Sequence, residues 1–384
     1  MELLNATRMR AGYTMGMRPT ARELLVVVVK GTFVMPKGAE EPGLAQEQAP
    51  LVEADTFTGE PGLSAPVYES DYSPVKPRCD VLLLGSAHAP YAKAAERVTV
   101  SVRVGAMRKQ FDVVGNRAWA GDMFGVAATE PEPFTVMPIS YDTAFGGVDN
   151  LDPDPNKHEA YPSNTIGRGF FPKSSVGLIS GKPLPNTEEP GRPITTPKGA
   201  YNSMGLGPIG RAWQPRVKYA GTYDQDWIDN VFPFLPADFD ERYYQCAPPD
   251  QQIDYLRGGE EVVLQNLTPQ GRTSFRLPRV EVPVTFYYKN YEEKEVSAVG
   301  DTLIIEPDLG RFVILWRASV PLRKNIFEVG QVVVGRMPRG WYRARELGKT
   351  YYLSLKALVD SRRAEREETG DSEEAPEEAE ETEA

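Results

Sequence analysis

The segment Arg97–Val104, RVTVSVRV, is followed by Gly105-Ala106 and then by Met107–Val114, MRKQFDVV, and its reading decides the fold class. Val98, Val100, Val102 and Val104 fall on one side of an extended chain, and Arg97, Thr99, Ser101 and Arg103 fall on the other. That period of two is the signature of an antiparallel strand with one buried face. Glycine at the first turn position suits a two-residue hairpin. Phe111 and Val113 then share a face of the returning strand.

The same reading extends outward. Leu24–Phe33 is rich in valine, as a strand buried on both faces should be. Val81–Gly85 is a second apolar run. Glu260–Leu267, Ser274–Leu277, Val280–Lys289 and Thr302–Glu306 read as strands, Glu306–Gly310 as a turn, and Phe312–Arg317 as the strand after it. Helices are few. Pro249–Arg257 begins with proline and acid and stops at Gly258, and Leu347–Glu367 carries a stripe of Tyr351, Leu355, Leu358 and Val359. The pattern predicts a mainly β chain, with antiparallel, β-sandwich-like sheets flanking a long Gly/Pro/aromatic-rich loop region. It divides into an N-terminal arm (1–20), a β-rich domain (21–345) with a loop-rich centre (141–252), a C-terminal helix (346–367) and a disordered acidic tail (368–384).

The loop-rich centre is unusual in composition. Residues 141–252 hold 27 Gly plus Pro, which alone would suggest a linker, but also 15 of the 38 Phe, Trp and Tyr, which a linker does not carry. A long ordered loop region is expected, and such regions are usually functional.

Charge excludes several partner classes. Of the formal net charge of −11, residues 365–384 hold −10, eleven acids against Arg366, so the rest of the chain sums to −1. A near-neutral body without basic excess argues against a nucleic-acid binder. The acidic run is expected to be a solvated appendage. Cys79 and Cys246, 167 residues apart, form neither a disulfide framework nor a zinc spacing, and reduced thiols in a cytoplasmic protein are expected. The apolar run Leu24–Val29 is too short for a signal peptide or a membrane span.

Four motifs invite chemistry and fall short of it. Gly205-Leu206-Gly207-Pro208-Ile209-Gly210 matches a dinucleotide fingerprint, but no hydrophobic strand precedes it, and Pro208 and Pro215 interrupt the stretch where the fingerprint needs a helix. Asp152, Asp154 and Asn156 stand at calcium-loop spacing, but Lys157 replaces the turn glycine and Ser163 the bidentate glutamate. His88 and His158 are the only histidines, and Ser86 near His88 lacks a nucleophile-elbow setting. Asp224, Asp226, Asp229, Asp238 and Asp240 cluster among aromatics, as a glycosidase pair would require, though aspartate equally fixes turns and helix starts. No cofactor, metal site or catalytic residue is expected.

Several strings in the centre are informative together: Tyr141–Gly147 (YDTAFGG), Asn164–Phe170 (NTIGRGF), Leu184–Glu188 (LPNTE), Gly205–Arg216 (GLGPIGRAWQPR), Gly221–Trp227 (GTYDQDW), Asp238–Asp240 (DFD) and Ala247–Gln251 (APPDQ). Val28–Phe33, Lys76–Leu83, Asp301–Leu303 and Leu315–Arg317 join them, so the shared region runs from about residue 20 to 320. In order and spacing the set resembles a bacterial family known only as a domain of unknown function and often encoded beside type VI secretion effectors. Thr165 stands where that family often has proline, and the acidic tail lies outside the shared region. The resemblance implies a non-enzymatic, cytoplasmic chaperone or adaptor, itself exported in some cases with the apparatus. It would hold a secreted effector, help load it onto the spike and touch the spike tip protein, without nucleic acid or membrane. The alternatives are a carbohydrate-acting hydrolase with paired carboxylates in the central loops, or a structural component of the apparatus. The residues expected to form the partner surface or its scaffold are Phe145, Gly146, Gly147, Gly167, Gly169, Asn186, Trp213, Tyr223, Asp224, Trp227, Asp250 and Gln251.

Overall fold

The computed structural model describes residues 1–38, 40–122, 125–352, 356, 359–361 and 363. The chain is mainly β, and three large sheets carry it. Their strands, in chain order, are β1 (Glu2–Asn5), β2 (Arg10–Met17), β3 (Glu23–Val34), β4 (Cys79–Leu83), β5 (Arg97–Val104), β6 (Met107–Val114), β7 (Thr187–Glu188), β8 (Gln252–Ile253), β9 (Glu261–Gln265), β10 (Arg272–Arg276), β11 (Pro283–Tyr288), β12 (Glu293–Ser297), β13 (Val299–Glu306), β14 (Arg311–Pro321) and β15 (Val329–Val334). The six-stranded sheet has the order β8-β4-β13-β14-β3-β2, the five-stranded sheet β7-β6-β5-β9-β10, and the four-stranded sheet β1-β15-β11-β12. Within them β1 pairs parallel with β15 and β4 parallel with β13, and the remaining neighbours are antiparallel.

The hairpin forms as its alternation predicts. Val104 faces Met107 across Gly105-Ala106, and Gly105 takes a left-handed φ of 57°. Val98, Val100, Val102 and Val104 enter the main apolar cluster, which joins inward residues of all three sheets. In β3, residues Leu24–Phe33 are buried on both faces. Leu25, Val27 and Val29 face the main cluster, whereas Leu24, Val26 and Val28 meet Leu82, Ile304, Val313, Leu315, Cys246 and Ala247 in a second. Each such side chain contributes roughly 1.5–3 kcal/mol on full burial, so this strand is held from two sides.

The second face is also crossed by buried ion pairs. Lys30 meets Asp71 at 2.9 Å, Lys76 meets Asp80 at 2.7 Å, and Arg317 meets Asp301 at 2.6 Å. Asp80 accepts further bonds from Gln245 Nε2 (2.6 Å) and from the amides of Cys246 (2.9 Å) and Ala247 (3.1 Å). It thereby clamps the end of the loop-rich centre onto the sheet. Burial pulls the Lys76 ammonium down, but neighbouring Asp80 holds its pKa above the ordinary lysine value. Burial pushes both cysteine thiols up, and both cysteines are free and buried.

Several expectations change. Residues 1–20, read as an arm, contain β1 and β2. Pro249–Arg257 is not a helix: a single 3-10 turn at Pro249–Gln251 gives way to β8, because Gln252 and Ile253 pair with Asp80 and Cys79 of β4. The chain divides into two units, Met1–Gly335 and Arg336–Ala384. In the second, Arg339–Glu346 is helical after Pro338. Leu355 and Leu358, on which the expected stripe over Leu347–Glu367 depends, lie outside the described residues, as does the acidic tail. Among the described residues no helix is long and apolar enough to cross a membrane.

Candidate functional site

The loop-rich centre resolves into three parts: a buried knot, an open pocket and an exposed lobe. The knot begins where Ser140 caps the turn Tyr141–Thr143 by accepting from the Asp142 amide. Phe145-Gly146 then pairs parallel with Arg168-Gly169. Asn164, fully buried, donates through Nδ2 to the carbonyls of Tyr141 (2.9 Å) and Phe145 (3.2 Å), and its own carbonyl accepts from the Gly147 amide at 2.9 Å. The glycines permit this crossing. Gly146 has φ 148°, and a Cβ there would stand 2.2 Å from the Asn164 carbonyl oxygen. A Cβ on Gly147 would meet the Gly167 oxygen at 2.5 Å, one on Gly167 the Ala144 oxygen at 2.6 Å, and one on Gly169 the Pro185 ring at 2.6 Å.

Side chains finish the knot. Phe145 is fully buried, with the rings of Tyr161 and Tyr201 edge-on at 5.0 Å and Phe170 at 6.1 Å. Asn186 fastens it to the five-stranded sheet. Its Nδ2 donates to the Val114 carbonyl at 2.9 Å, its Oδ1 accepts from Arg168, and its amide donates to the Thr143 carbonyl at 2.8 Å. Glu188 on β7 is buried and accepts from Arg97 (2.7 Å), Arg117 (2.8 Å) and the Ile194 amide (2.9 Å). Gln251 is equally enclosed: it donates to the carbonyls of Val81 and Leu206 and accepts from Lys109 at 2.8 Å. Exposed Asp250 beside it pairs with the same lysine at 3.1 Å.

The pocket, of about 210 Å³, is walled by Phe57, Pro66, Ile166, Ile209 and Trp213, and Arg211 stands among its polar residues. Arg211 binds Asp55 through two bonds of 2.8 and 3.0 Å and approaches Glu69 at 3.1 Å. Arg216, buried, holds Glu69 from behind at 2.8 Å and donates to the carbonyls of Ile209 and Tyr243. Burial pushes the Asp55 carboxyl up, but the bonds from Arg211 and the Ser70 amide outweigh it and hold the carboxyl below its usual range. Trp213 is buried and packs edge-on to Tyr141 at 5.3 Å, so it belongs to the wall and the core together.

The lobe comes next in the chain. Asp224 caps the short helix Gln225–Asn230 by accepting from the Trp227 amide at 2.9 Å. Trp227 Nε1 donates to the Phe234 carbonyl at 3.0 Å, which folds the segment back on itself, with Tyr223 at 4.8 Å and Phe232 at 5.6 Å from the indole. The outer surface stays open: Tyr223 is 51% exposed, Ile228 56%, Phe232 66% and Phe234 43%. None of these four, nor Trp227, belongs to any of the four buried apolar clusters.

The expected site residues therefore separate. Phe145, the four glycines, Asn186, Trp213 and Gln251 are built into the frame; Tyr223, Asp224 and Trp227 form the lobe; exposed Asp250 pairs with buried Lys109. The lobe aspartates, which the hydrolase alternative required as a facing pair, are each engaged locally. Asp226 accepts from Asn230 (2.7 Å), Asp229 from Gln225 (3.0 Å), Asp238 from the Thr222 amide and hydroxyl (2.9 and 2.7 Å), and Asp240 from the Arg242 amide at 2.9 Å. The other motifs are spent in the same way. Asp152 receives the Asp154 amide and Lys157 Nζ, Ser86 donates to Asp308 with His88 on the other oxygen at 3.5 Å, and the Leu206 carbonyl inside the glycine string serves Leu83 and Gln251. Sequence reasoning missed Asp80, Asn164, Glu188 and Arg216 as buried anchors. Their only signal was membership in, or nearness to, the ordered strings.

No curated protein and no solved structure matches the chain. One family profile matches residues 20–317, a span that takes in the knot, the pocket and the lobe. The chain belongs to the family described as an uncharacterized protein conserved in bacteria, DUF2169.

Proposed function

We propose that this chain is a non-enzymatic chaperone or adaptor that binds a type VI secretion effector and helps load it onto the spike. The observation that carries the reading is the lobe. Tyr223, Ile228, Phe232 and Phe234 are held in the open by a capped helix and an indole bond, and they serve no apolar core. Large apolar side chains cost free energy when left in water, and aromatic anchors of this kind dominate protein–protein hot spots. The lobe's own bonds, from the Trp227 amide to Asp224, from Trp227 Nε1 to Phe234 and from Thr222 to Asp238, fit an adaptor, because a pre-organised surface loses less entropy on binding. The effector is the first partner and the spike tip protein the second, and the bacterial cytoplasm is the place of loading.

Deletion of the gene tests the reading. It should lower the level and the secretion of the effector encoded beside it, and that effector should be recovered with the tagged full-length chain from cells. Unchanged effector level and secretion after deletion would contradict it.

A further inference from the structure

β2 is the outermost strand of the six-stranded sheet, and its second edge has no partner among the described residues. Along that edge, alternate residues turn backbone N–H and C=O groups outward, a row that water solvates and that serves as a template for another extended chain. Natural edge strands are usually protected by charge, proline or a bulge. β2 has none of these over Ala11–Met17, AGYTMGM, and it pairs with β3 in unbroken register. Tyr13 and Met15, 42% and 40% exposed, stand on one face. On the other face, Gly12 and Gly16 let Tyr72 and Pro74 lie directly over the strand, where a Cβ would come within 2.5 and 2.6 Å of them. That cover lies over a face and leaves the edge itself free.

We propose that this edge pairs with the same edge of a second copy of the chain, antiparallel and centred on Thr14. The sequence is self-complementary in that register. Gly12 meets Gly16 of the other copy, Tyr13 meets Met15, and Ala11 meets Met17, so the glycines fall together and each aromatic ring meets a thioether across the strands. At the ends Arg10 faces Arg18, whose charge is already balanced by Glu241 at 2.8 Å. The pairing joins two six-stranded sheets into one and is isologous, so it closes at two copies. A strand pair this short covers less than the roughly 1,200 Å² of a standard stable interface, so the dimer dissociates on dilution. β2 lies outside the residues matched by the family profile, which begins at residue 20, and it shares no residue with the lobe.

Sedimentation equilibrium of the full chain tests it. The weight-average mass should rise from one copy toward two as concentration increases. Tyr13→Lys with Met15→Lys places like charges opposite each other and should move the midpoint about tenfold or more to higher concentration. Both side chains are exposed, so the fold should survive, with an unchanged thermal melt as the control. Register is tested separately. Thr14→Cys should form an intermolecular disulfide under mild oxidation and Arg10→Cys should not, and the native Cys79 and Cys246 are buried. A chain that stays monomeric at every concentration overturns the proposal. So does equal cross-linking of the two cysteine variants, or assembly that the lysine pair leaves unchanged.

Discussion

The turns around Asn164 and those around Trp227 are made from the same residues: glycine, proline, aspartate or asparagine, and aromatic rings. The first set turns everything inward. Asn164 is fully buried, Phe145 is ringed by three aromatics, and the glycines let backbones cross with no space for a Cβ. The second set satisfies its polar groups just as locally, through the Asp224 cap and the Asp238–Thr222 bonds, yet leaves its apolar rings in water. Local hydrogen bonding therefore does not separate frame from surface. The fate of the apolar side chains does, and it marks the lobe as the part that leaves large apolar surface in water.

This contrast can be broken at graded strength. Gly146→Val should do most harm, because its Cβ would enter the Asn164 carbonyl at a φ that valine avoids. A loss on the order of 4 kcal/mol or more is expected, seen as insoluble protein or a collapsed thermal melt. Trp213→Ala should come second at about 3–5 kcal/mol, because the indole fills the pocket wall against Tyr141. If Trp213→Ala melts like wild type, the ring is surface rather than frame.

Acid should probe the pocket next. Asp55 has a folded pKa below its unfolded one, so its contribution is complete above the unfolded value near ~4 and fades as pH falls through the lower folded value. Arg211→Met should flatten the pH dependence of stability in that acid window and leave it alone near neutrality. An unchanged acid limb would mean the pair adds nothing. The smallest effect on stability is expected from Ile228→Ser with Phe232→Ser. Both side chains are more than half exposed and outside every core, so the change should stay within about 0.5 kcal/mol per site in denaturant titration. A larger loss would make the lobe part of the frame.

The strands were legible wherever side chains alternated or ran apolar. Arg97–Val104 and Leu24–Phe33 needed nothing beyond period and composition. β2 escaped notice because Gly12 and Gly16 remove the side chains from one face, which erases the alternation, and the reason for those glycines, Tyr72 and Pro74, lies far along the chain. β12, EKEVS, has almost no apolar residue to read. Pro249–Gln251 carries a genuine helix start, but pairing with β4 overrides it after one turn. The anchor Asp80 binds the Cys246 amide 166 residues away, so no local pattern shows its role, and Gln251, named from its string, owes its burial to Val81 170 residues away. The Gly221–Trp227 string brought Tyr223, Asp224 and Trp227 of the lobe into view, but not the exposure of its rings. Tyr223, Phe232 and Phe234 look in sequence like core residues, and only their exposure distinguishes them.

The proposed adaptor role of the lobe is open to one direct measurement: capture of a co-expressed type VI effector by the full-length chain, wild type against Ile228→Ser with Phe232→Ser, at matched thermal stability. Capture should weaken by about tenfold or more while the melt stays unchanged. Equal capture by the two proteins would contradict the assignment of the lobe as the partner surface.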